Sequence, residues 1–146
     1  MRIGIVGAEA AKFTPAGEVA ARVLIRSLIT PTDIVVTGGC HLGGVDIWAV
    51  EEAERIGAGT EVYAPEAHSW EYYKARNILI ARNSEHVVCI AVDRLPPTFQ
   101  FPPSMKGFDG YCYHCKTDKH IKSGGCWTTK YAKKIGVYGE TITVRN

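Results

Sequence analysis

Three cysteines and a histidine in the last third of the chain have the residue types and spacing of a metal site. Cys112 and Cys115 form a Cys-x-x-Cys pair, His120 follows after four residues, and Cys126 follows after five more. Thiolates and an imidazole at such separations suit a tetrahedral zinc ion, and four protein ligands leave no open position for water. The pattern therefore predicts one structural zinc ion. The alternatives are His114 in place of His120, and a metal-free loop whose cysteines only pack.

Two glycine-rich turns have the composition of anion-binding loops. Residues 37–46 follow an apolar run and lead into a helical pattern, and residues 123–129 precede the last helical segment. Backbone N–H groups at the start of a helix bind anions such as phosphate, so we expect a phosphate-bearing ligand to span both turns. Tight turns without a ligand are the alternative. The expected binding residues here are Gly7, Gly38, Gly39, Gly43, Gly44, Gly124, Gly125, Trp127 and Thr128.

Four polar side chains accompany these turns. Arg76, near a predicted helix start, suits bidentate phosphate binding, and Asn77 can bind a sugar hydroxyl or a base. Asp46 and Glu9 are candidate catalytic carboxylates. Each also has a structural interpretation: a salt bridge for Arg76, a surface amide for Asn77, a helix-dipole carboxylate for Asp46 and a solvated turn residue for Glu9.

The elements that must position these residues alternate between strand and helix. The predicted strands are residues 2–7, 33–36, 60–63, 86–92 and 137–144. The predicted helices are residues 15–29, 44–57, 69–82 and 127–135. Strands separated by helices of this length form a parallel sheet that is covered on both faces. The sequence therefore predicts an α/β fold, a three-layer Rossmann-like domain of about five strands over residues 1–146, with ligands at the carboxyl ends of the strands.

Two helical segments have an apolar side, and one segment has no periodicity. The first helix has apolar Val19, Val23, Leu24 and Leu28 at helical spacing, and in the second Val45, Trp48, Ala49, Glu52 and Ala53 share one side. Residues 95–126 form a proline-rich insert. A segment of that length without secondary structure is uncommon in a compact domain unless it has a function or a cross-link of its own. The cysteine cluster would supply such a cross-link. Cys89 lies in an apolar run and is interpreted as a core residue.

An ordered set of motifs resembles a known superfamily. The set is Gly39-x-x-x-Gly43-Gly44-Val45-Asp46, then Lys74-Ala75-Arg76-Asn77, then Ser123-Gly124-Gly125 with Thr128. These motifs resemble the superfamily that joins the DNA-processing protein A Rossmann domain with the Lonely Guy nucleotide phosphoribohydrolases, over residues 1–94 and 123–146. The resemblance implies a Rossmann-like sheet that binds nucleotides, their derivatives or nucleic-acid phosphates, with Arg76 at the ligand.

The chain departs from the phosphoribohydrolase motif Pro-Gly-Gly-x-Gly-Thr-x-x-Glu at two positions. Trp127 replaces the third glycine, and Tyr131 stands where the glutamate should be. Cleavage of an N-glycosidic bond needs a negative charge or a base near the sugar. The departure therefore favours a nucleotide-binding module that senses or sequesters its ligand. A nucleoside 5′-monophosphate N-glycosidase that uses Asp46 or Glu9 is the alternative, with Trp127 stacking on the base in either case.

Composition restricts the remaining function classes. The chain has 146 residues, 46% of them apolar, and a formal net charge of +2. The mild charge does not favour nucleic acid, although Tyr111, Tyr113, Lys116, Lys119 and Lys122 around the cysteines make nucleic-acid binding a further alternative. No apolar run approaches the roughly 20 residues of a membrane span, and none resembles a signal peptide. We therefore expect a cytoplasmic protein, without a membrane partner, that forms a homodimer.

Overall fold

The computed structural model of the protein describes residues 1–105 and 107–146, and it shows an α/β fold built on a five-stranded, all-parallel sheet. The strands are β1 (Arg2–Gly7), β2 (Ile34–Thr37), β3 (Gly59–Val62), β4 (His86–Val92) and β5 (Tyr138–Val144). The helices are α1 (Pro15–Leu28), α2 (Val45–Ile56), α3 (Trp70–Arg82) and α4 (Gly124–Lys134). The strand order is β3-β2-β1-β4-β5, so the Rossmann-like prediction is confirmed.

The sheet lies between two helical layers. Side chains alternate between the faces of a strand, so Ile3 and Ile5 of β1 face the core that α1 and α2 cover, whereas Val6 faces the core under α3 and α4. Ile5 is fully buried, and burial of a side chain of that size contributes about 1.5–3 kcal/mol. The sheet is therefore fixed from both faces, and its carboxyl edge becomes a rigid base for loops.

The structure confirms the side predicted for α2, and in α1 it confirms Leu24 and Leu28, which pack against the core, but not Val19 and Val23. All five residues predicted for α2 are buried. In α1, however, Val19 and Val23 are 62% and 52% exposed, whereas Ala21 and Ile25 are fully buried. Residues two apart on a helix lie about 200° apart around its axis. The sheet therefore packs against the row that contains Ala21 and Ile25, which turns Val19 and Val23 outward.

The insert runs between β4 and α4 over residues 93–123, and the predicted bounds of 95–126 need correction. Helix α4 begins at Gly124 rather than at residue 127, because the Ser123 hydroxyl oxygen caps the helix by accepting from the Gly125 N–H at 3.2 Å. Cys126 consequently belongs to α4. The other predicted element bounds agree with the structure within one residue.

The end of the insert returns to the sheet. The Ile121 N–H donates to the Val92 carbonyl at 2.8 Å, and the Lys122 N–H donates to the Gly110 carbonyl at 3.0 Å. These bonds place residues 120–126 at the carboxyl end of β4.

Within residues 1–105 and 107–146, no helix has both the length and the apolar character needed to cross a bilayer.

Candidate metal centre and ligand cavity

The predicted metal ligands lie together in the folded chain. One ligand atom from each of Cys112, Cys115, His120 and Cys126 lies within 4.8 Å of all the others. Three of the four residues are buried, and Cys115 is exposed. His114 is outside this group, and its ring instead contacts the Tyr113 ring at a centroid distance of 4.3 Å. The cluster of three thiols and one imidazole can hold a metal ion.

Residues 112–117 form a tight turn, here called the knuckle, that directs two of the sulfur atoms. Cys112 and Thr117 pair as an antiparallel bridge, with N–H to carbonyl distances of 3.0 and 3.2 Å. The Cys115 N–H points at the Cys112 Sγ at 3.4 Å. Lys116 completes the turn with a φ of 54°, a left-handed conformation that costs a residue with a side chain about 1–2 kcal/mol. The backbone thus prepares both thiols for a common ligand.

The other two ligand residues come from the last turn of the insert and from α4. His120 Nε2 lies 3.6 Å from Cys126 Sγ, and the Thr141 hydroxyl of β5 lies 3.9 Å from both Cys115 Sγ and Cys126 Sγ. Cys89 of β4 also contacts Cys126, with 3.9 Å between the sulfur atoms. The cluster therefore ties the insert to β5 and to the first turn of α4.

Without a metal, the cluster holds protonated thiols beside a neutral imidazole. Partial desolvation and the neighbouring Cys126 thiol raise the pKa of Cys115 to about 12, and the hydrogen bond with Cys89 together with burial raises the pKa of Cys126 as well. Burial lowers the pKa of His120, so its imidazole is neutral and able to coordinate. Adjacent thiolates repel each other unless a cation neutralises them, so metal binding here releases protons.

A cavity of about 350 Å³ opens at the carboxyl edge of the sheet next to this cluster. It lies where the strand order reverses between β1 and β4, the position at which open α/β sheets bind ligands. Its lining includes Gly7, Glu9, Lys12, Cys40, His41, Asp46, Trp70, Tyr73, Arg76, Asn77, Lys122, Ser123, Gly124 and Gly125. Five of the lining side chains carry charge, three of them positive: Lys12, Arg76 and Lys122.

The second glycine turn forms one wall of the cavity. Residues 122–125 line it and lead into α4, whose positive dipole end therefore faces the cavity. Two metal-cluster residues, His120 and Cys126, bracket this wall in the chain. A metal ion in the cluster would consequently fix both ends of the wall.

The glycines of the first turn are needed for the packing of the backbone and do not line the cavity. Gly39, Gly43 and Gly44 have left-handed φ values of 58°, 73° and 88°. A Cβ on Gly44 would lie 2.4 Å from the Ala8 carbonyl oxygen, and that carbonyl accepts from the Val45 N–H at 3.2 Å. The backbone after β1 thus occupies the start of α2. The three glycines and Gly38 lie outside the cavity lining, and the turn contributes Cys40, His41 and Leu42 instead.

Buried Asp46 and half-buried Arg76 form a charged pair in the cavity, and Arg76 lies in the middle of α3 rather than near a helix start as predicted. Arg76 Nη1 donates to the Gly38 carbonyl at 2.6 Å and lies 3.8 Å from Asp46 Oδ2. The Arg76 Nε is buried and has no hydrogen-bond partner among residues 1–105 and 107–146. Burial raises the pKa of Asp46 to about 6, although Arg76 acts in the opposite direction. The pair therefore carries a carboxyl group that titrates near neutral pH.

The remaining predicted residues divide between the cavity and the helical layer. Asn77 and Glu9 line the cavity, whereas Trp127 and Thr128 do not. The Trp127 ring stacks on the Tyr131 ring with centroids 5.4 Å apart. It also contacts the Trp70 ring edge to face, at a centroid distance of 5.5 Å. The Thr128 side chain is fully buried.

Sequence reasoning missed two cations of the cavity, Lys12 and Lys122. The Lys12 ammonium donates to the Lys122 carbonyl at 3.2 Å, and burial lowers the pKa of Lys12. Lys122 directly precedes the Ser-Gly-Gly turn, which was an available signal. No sequence signal marked Lys12. It lies in a short 3-10 turn, Ala10–Lys12, and only the folding of the chain brings this turn next to residue 122.

Comparison with protein-family models, with curated proteins and with solved structures finds no match for the chain. The fold and the site define a Rossmann-like α/β domain with a candidate Cys3His metal centre beside a cavity at the switch point of the sheet.

Proposed function

We propose that the protein binds a nucleotide or a nucleotide derivative in the switch-point cavity. The observation that carries the proposal is the composition of the cavity wall: the first turn of α4 and three cations, Lys12, Arg76 and Lys122, face one space at the carboxyl edge of the sheet. Helix N-termini and charge-assisted hydrogen bonds bind phosphate. The cavity volume of about 350 Å³ lies in the range of small-molecule sites.

The rest of the lining supports a ligand that also carries a sugar and a ring. Asn77 and Glu9 offer hydrogen bonds to hydroxyl groups, and Trp70 and Tyr73 offer aromatic surfaces. The resemblance of the glycine and Ala-Arg-Asn motifs to the DNA-processing protein A and Lonely Guy superfamily supports the same ligand class. The missing motif glutamate favours binding without cleavage, since Tyr131 lies outside the cavity lining and packs on Trp127.

Isothermal titration calorimetry of the metal-loaded protein with a panel of nucleoside mono- and diphosphates tests this proposal. Lys12→Met removes a cavity charge while keeping the length of the side chain, and we expect it to weaken binding of the best ligand at least tenfold, about 1.4 kcal/mol. Lys133→Met, an equal change at the exposed end of α4, is the control. Equal affinities for the two variants, or no binding across the panel, would contradict the proposal.

We further propose that the metal of the Cys3His cluster is zinc in a structural role. Three thiolates and one imidazole form a closed tetrahedral set that matches zinc. Elemental analysis of protein purified without added metal should find about one zinc per chain. Cys115→Ser should lose the zinc, whereas Cys40→Ser, outside the cluster, should retain it. Zinc content that is unchanged in Cys115→Ser would refute the assignment.

A nucleotide N-glycosidase is the second candidate function, and Asp46 is the observation that favours it. Its buried carboxyl has a pKa of about 6 and lies in the cavity together with Glu9, which gives two carboxyl groups in different environments. Incubation with nucleoside monophosphates would then release free base. We expect Asp46→Asn to lower that release about 10²-fold or more, while a bound ligand that stays intact over hours would exclude the hydrolase.

A further inference from the structure

The outer face of the knuckle presents two tyrosines to solvent. Cys112 is fully buried, whereas its neighbours in the chain, Tyr111 just before the knuckle and Tyr113 within it, are exposed. They are 43% and 58% exposed. Exposed aromatic rings leave apolar surface in water unless something covers them, and here a rigid turn holds two of them close together in the chain.

Lysines surround the same face. Lys116 and Lys119 are exposed, and the Lys122 ammonium lies 5.0 Å from the centroid of the Tyr113 ring. Residues 111–122 contain these three lysines and one acidic residue, Asp118. Neither the cavity nor the metal cluster explains Lys116, Lys119 or the two tyrosines. The face thus combines aromatic rings with positive charge, independently of the nucleotide cavity.

We propose that this face of the knuckle binds single-stranded nucleic acid. Unpaired bases stack on the rings of Tyr111 and Tyr113, and the phosphates pair with Lys116 and Lys119. Base stacking on an aromatic side chain contributes about 1–3 kcal/mol per base and tolerates any sequence. Lysines that neutralise phosphates add affinity that falls with salt.

The residue types favour a single strand over other anionic partners. The bases of a duplex are stacked on each other and cannot cover the tyrosine rings, so lysines alone would bind it, and weakly. An anionic membrane would use an apolar wedge, yet the exposed residues between 111 and 119 include no aliphatic side chain; they are Tyr111, Tyr113, Cys115, Lys116, Asp118 and Lys119. A flexible strand with both planar bases and regularly spaced phosphates satisfies both features of the face.

Fluorescence anisotropy with a labelled 20-nucleotide oligo-dT and oligo-U tests the proposal on the full metal-loaded chain. We expect Tyr111→Ala/Tyr113→Ala to weaken binding at least tenfold, and Tyr138→Ala, at an exposed tyrosine of β5, to leave it unchanged. Lys116→Ala/Lys119→Ala should lower the slope of log affinity against log salt by about 1.4, that is, about 0.7 for each phosphate that is no longer neutralised. Lys133→Ala/Lys134→Ala is the matched control. Lys122 is left unchanged because it also lines the cavity.

Several outcomes would overturn the proposal. They are no binding at low salt, a salt slope that Lys116→Ala/Lys119→Ala does not change, equal binding of duplex DNA, and equal binding of phosphatidylserine vesicles. Zinc content is measured for each variant. If Tyr111→Ala/Tyr113→Ala loses the metal, the salt slope of Lys116→Ala/Lys119→Ala alone tests the proposal. Calorimetry of nucleotide binding to the same variants separates this proposal from the cavity proposal. The knuckle variants change residues outside the cavity lining, so either proposal can be contradicted without the other.

Discussion

Asp46 shows how burial sets the chemistry of a single residue. Its carboxyl group is 6% exposed at the start of α2, beside the Arg76 guanidinium. Helix-dipole stabilisation, the structural interpretation of the sequence pattern, would favour the charged form. Burial is the larger effect, and it raises the pKa from the ordinary value of 3.8 to about 6. The residue consequently changes charge over a pH range in which most aspartates remain ionised.

The stability of the protein should therefore depend on Asp46. The folded state retains this proton up to pH 6 while the unfolded state loses it near pH 4, so stability falls as the pH rises between these values. Asparagine mimics the protonated form. We expect Asp46→Asn to match the wild type at pH 4 and to exceed it by about 3 kcal/mol at pH 8, from about 2 pKa units at 1.4 kcal/mol each. Urea unfolding across this range measures the difference.

Asp33 provides a control of opposite sign. The Thr30 N–H and the chain's own N-terminus lower the pKa of Asp33. Its contribution to stability is present above pH 4 and is lost as the pH falls through the lowered pKa. Asp33→Asn should therefore be less stable than the wild type at pH 7, and the difference should shrink in acid. A constant difference for Asp46→Asn between pH 4 and pH 8 would exclude the burial argument.

At the scale of an element, the first turn of α4 packs tightly on one side and is open on the other. A Cβ on Gly125 would lie 2.7 Å from Cys89 Sγ and 3.1 Å from the Gly7 N, whereas a Cβ on Gly124 would meet nothing within 4 Å. Gly125 thus allows α4 to approach β1 and β4 closely. Gly124 faces the cavity.

Alanine at these two positions should have different effects on stability. We expect Gly125→Ala to lower the free energy of unfolding by about 1–3 kcal/mol through overpacking. Gly124→Ala, its neighbour in the same turn, should stay within about 0.5 kcal/mol of the wild type. Thermal or urea unfolding of the metal-loaded variants measures both. Equal destabilisation would mean that the turn needs flexibility at both glycines rather than space at Gly125.

Across the whole molecule, the candidate metal cluster and the cavity meet in the segment 120–126, where His120 and Cys126 belong to the cluster and residues 122–125 line the cavity. The cluster joins the insert, β5 and α4, and the cavity joins the loops after β1 and β2 to the same turn of α4. The strand order places β1 beside β4, so the switch point brings both halves of the sheet to one cavity. Metal and ligand binding should consequently be coupled.

This coupling predicts a thermal shift that depends on the metal. A nucleotide at 100 times its dissociation constant stabilises the folded state by about 2.7 kcal/mol, which for a domain of this size raises Tm by roughly 5–10 °C. After chelation of the metal, the same ligand concentration should give less than about half of that shift. Differential scanning calorimetry of the loaded and chelated protein, each with and without nucleotide, makes the comparison. An unchanged shift after chelation would show that the cavity wall does not depend on the metal.

Local sequence patterns predict most of the elements and the four residues of the candidate metal cluster. Strand and helix follow from local periodicity, and Cys112, Cys115, His120 and Cys126 are close in the chain, so spacing alone brings them within reach of one another. The predicted start of α4 was wrong. Its first three residues, 124–126, resemble a glycine loop in sequence, and the hydrogen bond from the Gly125 N–H to the Ser123 hydroxyl that begins the helix is evident only in the structure.

The residues that face the cavity, in contrast, depend on how the elements pack against one another. Gly44 and Val45 looked open to an anion, yet the Ala8 backbone occupies that helix start, because β1 and β2 are neighbours in the sheet. Lys12 reaches Lys122 across 110 positions of sequence, and no local pattern encodes such a contact. Likewise, Ala21 and Ile25 take the place in the core that the pattern assigned to Val19 and Val23. Hydrophobic periodicity marks a face, but the packing of whole elements selects the side that is buried and the polar atoms that stay free for a ligand.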